Sequence, residues 1–502
     1  MATQTHELPN DLLNDLLIVG GGINGAGMAR DAAGRGLRVA LCEKGNLAGA
    51  TSSASSKLIH GGLRYLEYFE FRLVREALAE REVLLHIAPH LVRPLRFVLP
   101  LVNTIRPAWM VRLGLFIYDH LGPHPSLPNS RSLNLRREAV GEPLRGHMRK
   151  GFAYYDCWVD DARLVVLNAL DTARRGARIM TRTELVSAQR KDGIWHAKLL
   201  DGDGRETEIR AKVLVNAAGP WVEQVLPRLG GASPSTPPRS TPKGRTVLIK
   251  GSHIVVPRLF QGAHAYILQH TDGRVIFVIP YEDAYSLIGT TDVPFDGDPG
   301  AVQISTAEID YLCHAVNAYF DRRVTPEHVC WSFAGVRPLF GEGGEDPAAV
   351  TRDYVLELDE GGAPLLSIYG GKITTYRRLA EAAMGRLATY FPDLKPNWTA
   401  ASPLPGGEGS LSGLSTDYPN ISTNLIRQLA ARHGTLAREI LGEAETAADL
   451  GQDFGAGLTA REIDYMVANE WAVTAEDILW RRSKCGLHLN PAQCQAVADY
   501  LE

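Results

Sequence analysis

Asp15-Leu-Leu-Ile-Val-Gly-Gly-Gly-Ile-Asn-Gly-Ala-Gly27 is the stretch on which the fold turns. Leu16 to Val19 form a short, continuously apolar run, as a buried parallel strand requires, and it enters a glycine turn. Gly20, Gly22 and Gly25 fit G-x-G-x-x-G: Gly20 permits the tight turn, Gly22 lets backbone N–H groups approach a pyrophosphate, and Gly25 allows close helix packing. Ile23 and Asn24 belong to the same cradle, where the positive end of the helix dipole favours an anion. Ala26, Gly27, Ala29 and Ala33 keep the helix small-sided until Gly34 and Gly36 end it, and Leu37 to Leu41 supply a second strand ending at Cys42-Glu43. A carboxylate at that strand end accepts both ribose hydroxyl protons, so Glu43 completes a dinucleotide-binding β-α-β unit. This motif by itself does not choose FAD over NAD.

Working outward, 502 residues with 45% apolar and 22% charged side chains provide for two or three domains with substantial cores and exclude a disordered or fibrous chain. The 53 Lys and Arg against 57 Asp and Glu leave a net charge of -4, so there is no global basic field and nucleic acid is not expected as a partner. Six scattered cysteines form no C-x-x-C pair, which argues against a disulfide framework and against a zinc site; no metal is expected. Acidic residues stand where a secretion signal needs a basic n-region, and no window reaches the roughly 18 apolar residues of a spanning helix. The expectation is a cytoplasmic protein that meets a membrane, if it does, at the surface.

Residues 71–88 read as a helix with Val74, Leu78 and Leu85 inward and Arg75, Arg81 and Glu82 toward solvent. Residues 246–256, 274–280 and 286–291 are β-branched and apolar with Gly or Asp between them, as in an antiparallel sheet. A Pro, Gly and Ser-rich stretch at 392–417 is followed by helical patterns at 419–443 and 459–482. Ala50-Thr-Ser-Ser-Ala-Ser-Ser-Lys57 offers hydroxyls just past the ribose acid, where an extended cofactor would continue; composition alone would favour a flexible serine loop. Val213 to Trp221 is an apolar strand that either returns the sheet to the cofactor at Ala218-Gly219 or is a plain buried strand and turn.

Six blocks, taken in order, carry a family resemblance: Thr51-Ser-Ser-Ala-Ser-Ser-Lys-Leu-Ile-His-Gly-Gly-Leu-Arg-Tyr65, Asn216-Ala-Ala-Gly-Pro-Trp221, Gly251-Ser-His-Ile254, Gly289-Thr-Thr-Asp292, Gly335-Val-Arg-Pro338 and Gly370-Gly-Lys-Ile-Thr-Thr-Tyr376. Over about residues 15–500 the chain resembles the FAD-dependent glycerol-3-phosphate dehydrogenases of the bacterial respiratory type. It departs from them at Ala218, where the family usually has Thr, and it lacks the calcium-binding helix pair of the mitochondrial form. The resemblance implies FAD held by the glycine turn, Glu43, Thr51, Ser52, Lys57, Ala218, Gly219, Gly371, Lys372, Ile373 and Thr374; non-covalent attachment is expected because neither the glycine turn nor the serine block contains Cys or His and only His60 lies nearby. It implies a site that takes a hydride from C2 of a secondary alcohol while the hydroxyl loses its proton, which needs a base and cations.

His253 is the natural base, or alternatively a histidine hydrogen-bonded within the sheet. Arg337, and Arg64 beside Tyr65, are placed to grip phosphate through forked charge-assisted bonds. Lys372, after two glycines and before a helix, is placed to stabilise negative charge on the reduced ring system and to join in substrate binding. Pro107 to Tyr118 packs Trp109, Met110, Leu113, Phe116 and Ile117 near Arg106 and Arg112, a segment for a bilayer surface or a core helix. Trp480-Arg481-Arg482 is a basic lipid patch or a solvated helix face.

The expected fold is α/β: a Rossmann-like FAD-binding domain interleaved with an antiparallel β substrate-binding domain, plus a helical C-terminal domain. Residues 1–245 are the first part of the FAD-binding domain, 246–350 the interleaved sheet, 351–391 the return, 392–417 a linker and 418–502 the helical domain. The expected reaction is oxidation of sn-glycerol 3-phosphate to dihydroxyacetone phosphate with electrons passing to membrane quinone, by a peripheral protein on the inner membrane face; a homodimer is compatible with it. The alternatives are a glycerophosphate oxidase using oxygen and a flavin-bearing regulatory protein without turnover.

Overall fold

The computed structural model describes residues 13–101, 107–123, 126–230, 245–270, 272–341 and 353–502. Asn14–Val19 lies inside a nine-stranded sheet, with Val39–Cys42 and Glu206–Asn216 parallel on its two sides, and Arg178–Met180 and Leu365–Tyr369 extending the parallel set outward. Helix α1 (Ile23–Gly34) crosses one face between two other helices, and its small residues are what allow that. A Cβ on Gly27 would stand 2.5 Å from the Tyr376 ring, and one on Gly34 would stand 2.1 Å from Trp398. The opposite face is covered by an antiparallel meander of Thr183–Lys191, Ile194–Asp201 and the first half of Glu206–Asn216, which buries Trp195 and Leu199 against Leu17 and Leu214.

The second sheet has ten strands, and its long seam pairs Arg245–Pro257 with Trp331–Gly341 in antiparallel register. The three strands read from the sequence are present as Arg245–Pro257, Val275–Tyr281 and Tyr285–Gly289. Confinement of this sheet to 246–350 is corrected: Leu58–Ile59, Val92–Pro100, Arg131–Asn134 and Lys150–Val159 also belong to it. The chain therefore changes sheets well before residue 245. Arg93, Pro94 and Arg96 interrupt the alternation of the 92–100 strand, so its pairing is set by the partner rather than by a local pattern.

Helix α2 (Phe71–Ile87) buries Val74, Leu78 and Leu84 as an amphipathic helix should. Arg81, expected in solvent, is instead buried, because its guanidinium meets Asp156 of the Lys150–Val159 strand at 3.0 Å and the Tyr155 carbonyl at 3.1 Å. Helix α3 (Ala108–Leu121) buries only Leu115 and Tyr118 and leaves Trp109, Met110, Leu113 and Phe116 exposed. Arg106 lies outside the described residues.

Helix α4 (Asp161–Arg174) joins the sheets to the C-terminal domain. Its N-cap Asp160 accepts from Lys484 at 2.7 Å, Asp161 accepts from Lys57 at 2.8 Å, and Arg163 forms a buried ion pair with Glu470. The C-terminal helices are shorter than their sequence pattern: Thr423–His433 stops at Gly434, which has φ 60°, and Ala460–Glu470 stops at Trp471 in the left-handed region. A π-helical segment follows at Asp477–Arg482, and its Trp480 stacks on Trp331 of the second sheet with ring centroids 4.6 Å apart. Arg481 and Arg482 do not form a lipid patch: Arg481 is held by Asp477 at 2.8 Å, and the buried Arg482 donates to the Glu470 carbonyl and to Asn46 Oδ1. The 392–417 stretch is tacked to the body, with Arg30 donating to the Ser402 carbonyl at 2.9 Å and Leu404 buried.

Candidate active site

At the glycine turn, steric room is what the residues dictate. Gly20 has φ 115°, and a Cβ there would stand 2.5 Å from the Ala217 carbonyl; one on Gly25 would stand 1.9 Å from the Gly20 carbonyl. Gly22 meets nothing closer than the Ser52 hydroxyl at 3.1 Å, so this face of the turn stays open. Helix α1 has no acidic residue in its first turn and no side-chain bond from its N-cap, which leaves its positive end available to an anion. Ser52 Oγ accepts the Ile23 N–H at 3.0 Å and thereby joins the serine block to the turn. Glu43 accepts from Gly21 N at 2.6 Å and from Gly45 N at 2.7 Å, which fixes its carboxylate at the strand end while leaving further lone pairs for a ribose.

From the other side, Asn24 Nδ2 donates to the Gly370 carbonyl at 3.0 Å, while Asn24 Oδ1 is buried without a partner among the described residues. Gly371 has φ 91°, and a Cβ there would press on Asn24 and Leu379. Gly219, at φ 55°, faces open space beyond Ala218. An open Gly-lined cradle at a helix start, a fixed ribose-side acid and an orphaned buried acceptor fit an adenine dinucleotide drawn out between the two sheets. Thr51 extends the frame by donating to the Val336 carbonyl at 2.7 Å. Lys57 contributes differently from expectation: its ammonium is buried on Asp161 and the Ser53 carbonyl, so it shapes the serine block from behind.

The expected substrate residues arrive from three parts of the chain. Lys372 caps the short turn Ile373–Thr375, and its ammonium lies 4.1 Å above the ring of Tyr65. Thr374 Oγ1 accepts the His60 N–H, which ties that turn to the segment carrying Arg64. Arg64 is half-buried, and among the described residues its guanidinium has no hydrogen bond or ion pair. Arg337 stands opposite Ile249 in the seam, donates to the Thr291 carbonyl and pairs with Asp292.

His253 faces Phe333 across the same seam and stacks on it at 4.8 Å. Its Nε2 is 2.9 Å from Ser56 Oγ, and its Nδ1 has no partner among the described residues. A Cβ on Gly289 would stand 2.1 Å from the imidazole, so the glycine opposite it is what admits the ring. The ring is 2% exposed; burial, then Lys57 and Arg337, hold its pKa down to about 3. His253 is therefore neutral at physiological pH. Ser56, Phe333 and Asp292 were not read from the sequence as site residues. Each is set by strand register or loop path, and only the Gly-Thr-Thr-Asp block flagged one of them.

The sequence profile of the FAD dependent oxidoreductase family matches residues 15–377, and that of the C-terminal domain of alpha-glycerophosphate oxidase matches 397–501. The chain is 53% identical to a glycerol-3-phosphate dehydrogenase of Pseudomonas aeruginosa, across 97% of this chain and 95% of that protein. It is 51% identical to a D-erythritol 1-phosphate dehydrogenase of Brucella abortus, across 97% of each. Among solved structures, the glycerol-3-phosphate dehydrogenase of Bacillus halodurans complexed with FAD superposes with a TM-score of 0.74 at 26% identity, covering 98% of this chain and 94% of that one.

Proposed function

The chain belongs to the FAD-dependent oxidoreductases and, within them, to the glycerol-3-phosphate dehydrogenases, and from that membership we propose that it passes the electrons of glycerol 3-phosphate to membrane quinone. It is an enzyme that binds FAD and oxidises glycerol 3-phosphate. The observation that carries our assignment of the site is the convergence of Arg64, Tyr65 and Lys372 beside the cofactor cradle, with Lys372 and Tyr65 only 4.1 Å apart although separated by some three hundred residues of chain. A half-buried guanidinium with no partner among the described residues and a lysine on the adjoining turn suit a phosphate dianion.

Bound FAD supplies the hydride acceptor. Arg64, Arg337 and Lys372 bind the phosphate and orient C2; Arg337 exchanges part of its Asp292 pairing for a phosphate oxygen. His253 takes the hydroxyl proton. A ring with a pKa near 3 is too weak to ionise an alcohol beforehand, so it accepts the proton as the hydride departs. The dianion on Arg64 and Arg337 also offsets the cationic field that depresses the ring, so substrate raises the proton affinity of its own base. Lys57 and Ser56 hold the imidazole side of the site in place.

Access to a lipid-soluble acceptor supports docking through α3. No helix among the described residues is long and apolar enough to cross a membrane. Trp109, Phe116 and, on the neighbouring turn, Phe69 are 67%, 52% and 78% exposed, and Phe69 is held outward in the left-handed region. Such a patch is suited to shallow burial at a bilayer. Six free cysteines accord with a reducing compartment and the inner face of the membrane.

An anaerobic spectrum tests the whole reading. The yellow protein bleaches on addition of glycerol 3-phosphate and is reoxidised by a quinone analogue faster than by air. Faster bleaching by D-erythritol 1-phosphate would move the substrate to a longer polyol phosphate. Rapid peroxide release would make the protein an oxidase, and no bleaching with either substrate would leave a flavoprotein without this turnover.

A further inference from the structure

The turn that presents Arg64 and Tyr65 is anchored by a residue on the exposed helix. His60-Gly-Gly-Leu-Arg-Tyr65 leaves the strand Leu58–Ile59 and enters the short helix Leu63–Tyr68 through Gly62, at φ 74°. The backbone N–H of Gly61 donates to the hydroxyl of Tyr118, from α3, at 2.8 Å. The same hydroxyl lies 2.8 Å from both carboxylate oxygens of Asp156. A phenol has one proton to give; it goes to Asp156, which leaves the oxygen lone pairs to accept Gly61. Asp156 is in turn held by Arg81 at 3.0 Å, and all three side chains are buried. The fit is tight enough to exclude any side chain at the anchor point: a Cβ on Gly61 would stand 2.5 Å from the Tyr118 hydroxyl.

We propose that Tyr118, set by Asp156 and Arg81, is a positioning residue for substrate: its hydroxyl fixes Gly61 and so holds Arg64 and Tyr65 where the phosphate binds. Among the described residues the other acceptor of that N–H, Asp156 Oδ1, is more distant at 3.4 Å. Phenylalanine keeps the packing, including the edge-to-face contact with Tyr154, but removes the acceptor. The turn is then free to shift by a few tenths of an ångström, which a bidentate phosphate grip tolerates poorly. The inference rests on the reading of Arg64 as a phosphate ligand.

The test is steady-state kinetics of holoenzyme with glycerol 3-phosphate and a soluble quinone analogue for Tyr118→Phe, Arg64→Ala and the double variant. Tyr118→Phe is expected to raise KM about tenfold with kcat within about twofold. FAD content and vesicle binding are expected to stay at wild-type levels, because the hydroxyl is buried and its bonds are to Gly61 and Asp156. In the Arg64→Ala background the same change should add little, since it acts through Arg64. Asp156→Asn, which still accepts a hydrogen bond, should fall between wild type and Tyr118→Phe. A wild-type KM in Tyr118→Phe, or a full additional loss in the double variant, overturns the proposal. FAD loss in step with activity would likewise overturn it by making Tyr118 a fold residue. If Arg64→Ala alone leaves KM unchanged, it is the phosphate reading that fails.

Discussion

At the scale of single residues, Arg337 is the most informative side chain because two demands meet on it. In the structure one terminal nitrogen of its guanidinium serves both Asp292 and the Thr291 carbonyl, and the role we propose for it asks it to face a phosphate. Arg337→Ala should therefore weaken substrate use by about 1.5 to 3 kcal/mol, roughly 10 to 100-fold in kcat/KM, with FAD content retained. Equal loss of FAD would instead make Arg337 structural. His90 offers a separate, pH-dependent prediction. Both its ring nitrogens lack partners among the described residues, and burial, then Arg163 and His433, hold its pKa down to about 3 from an ordinary 6.5. Between those values the unfolded chain binds a proton that the folded one does not, so stability falls as pH falls. At pH 5 the cost is about 2 kcal/mol from this one ring. The drop in melting temperature from pH 7.5 to 5 should be smaller in His90→Gln than in wild type; an equal drop would assign the acid sensitivity elsewhere. His253 and Arg337 could be proposed from the sequence because each stands in a short distinctive block. Ser56 and Phe333 were not, because a seam register that sets His253 opposite Phe333 leaves no mark on the local sequence.

Among the elements, the first β-α-β unit could be read almost residue by residue, since strand, glycine turn, helix and second strand follow one another without interruption, although several of its glycines make room for distant partners such as Ala217, Tyr376 and Trp398. The second sheet could not, because Val92–Pro100 and Lys150–Val159 pair only after the chain has left and returned. Arg81 shows the same limit on a helix: its position looks like a solvent face until a strand carrying Asp156 is laid against it. For α3 the sequence left two readings open, and the exposure of Trp109, Leu113 and Phe116 supports the lipid one. Replacing Trp109 and Phe116 with Ser should reduce binding to anionic vesicles and quinone turnover while leaving bleaching by glycerol 3-phosphate intact. Vesicle binding that persists in this variant would move the anchor to another part of the surface.

For the molecule as a whole, buried polar ties fasten the C-terminal domain to the cofactor side. Asn46, three residues beyond Glu43, donates to the Trp471 carbonyl at 2.9 Å and accepts from Arg482 at 3.0 Å; Lys484 reaches Asp160 at the start of α4. Removing one member of a buried pair costs about 3 to 5 kcal/mol, so Lys484→Met should loosen this joint before either domain unfolds. The indole pair Trp331 and Trp480 sits at that joint, with rings inclined by only 22°. Two indoles this close share their electronic excitation, and the enzyme thus carries an optical gauge of its own assembly. A circular-dichroism couplet present in the native protein should vanish in Trp480→Phe, weaken in Lys484→Met, and fade on warming ahead of the sheet signal. Light absorbed at one boundary then reports, without any label, when the C-terminal domain lets go of the second sheet.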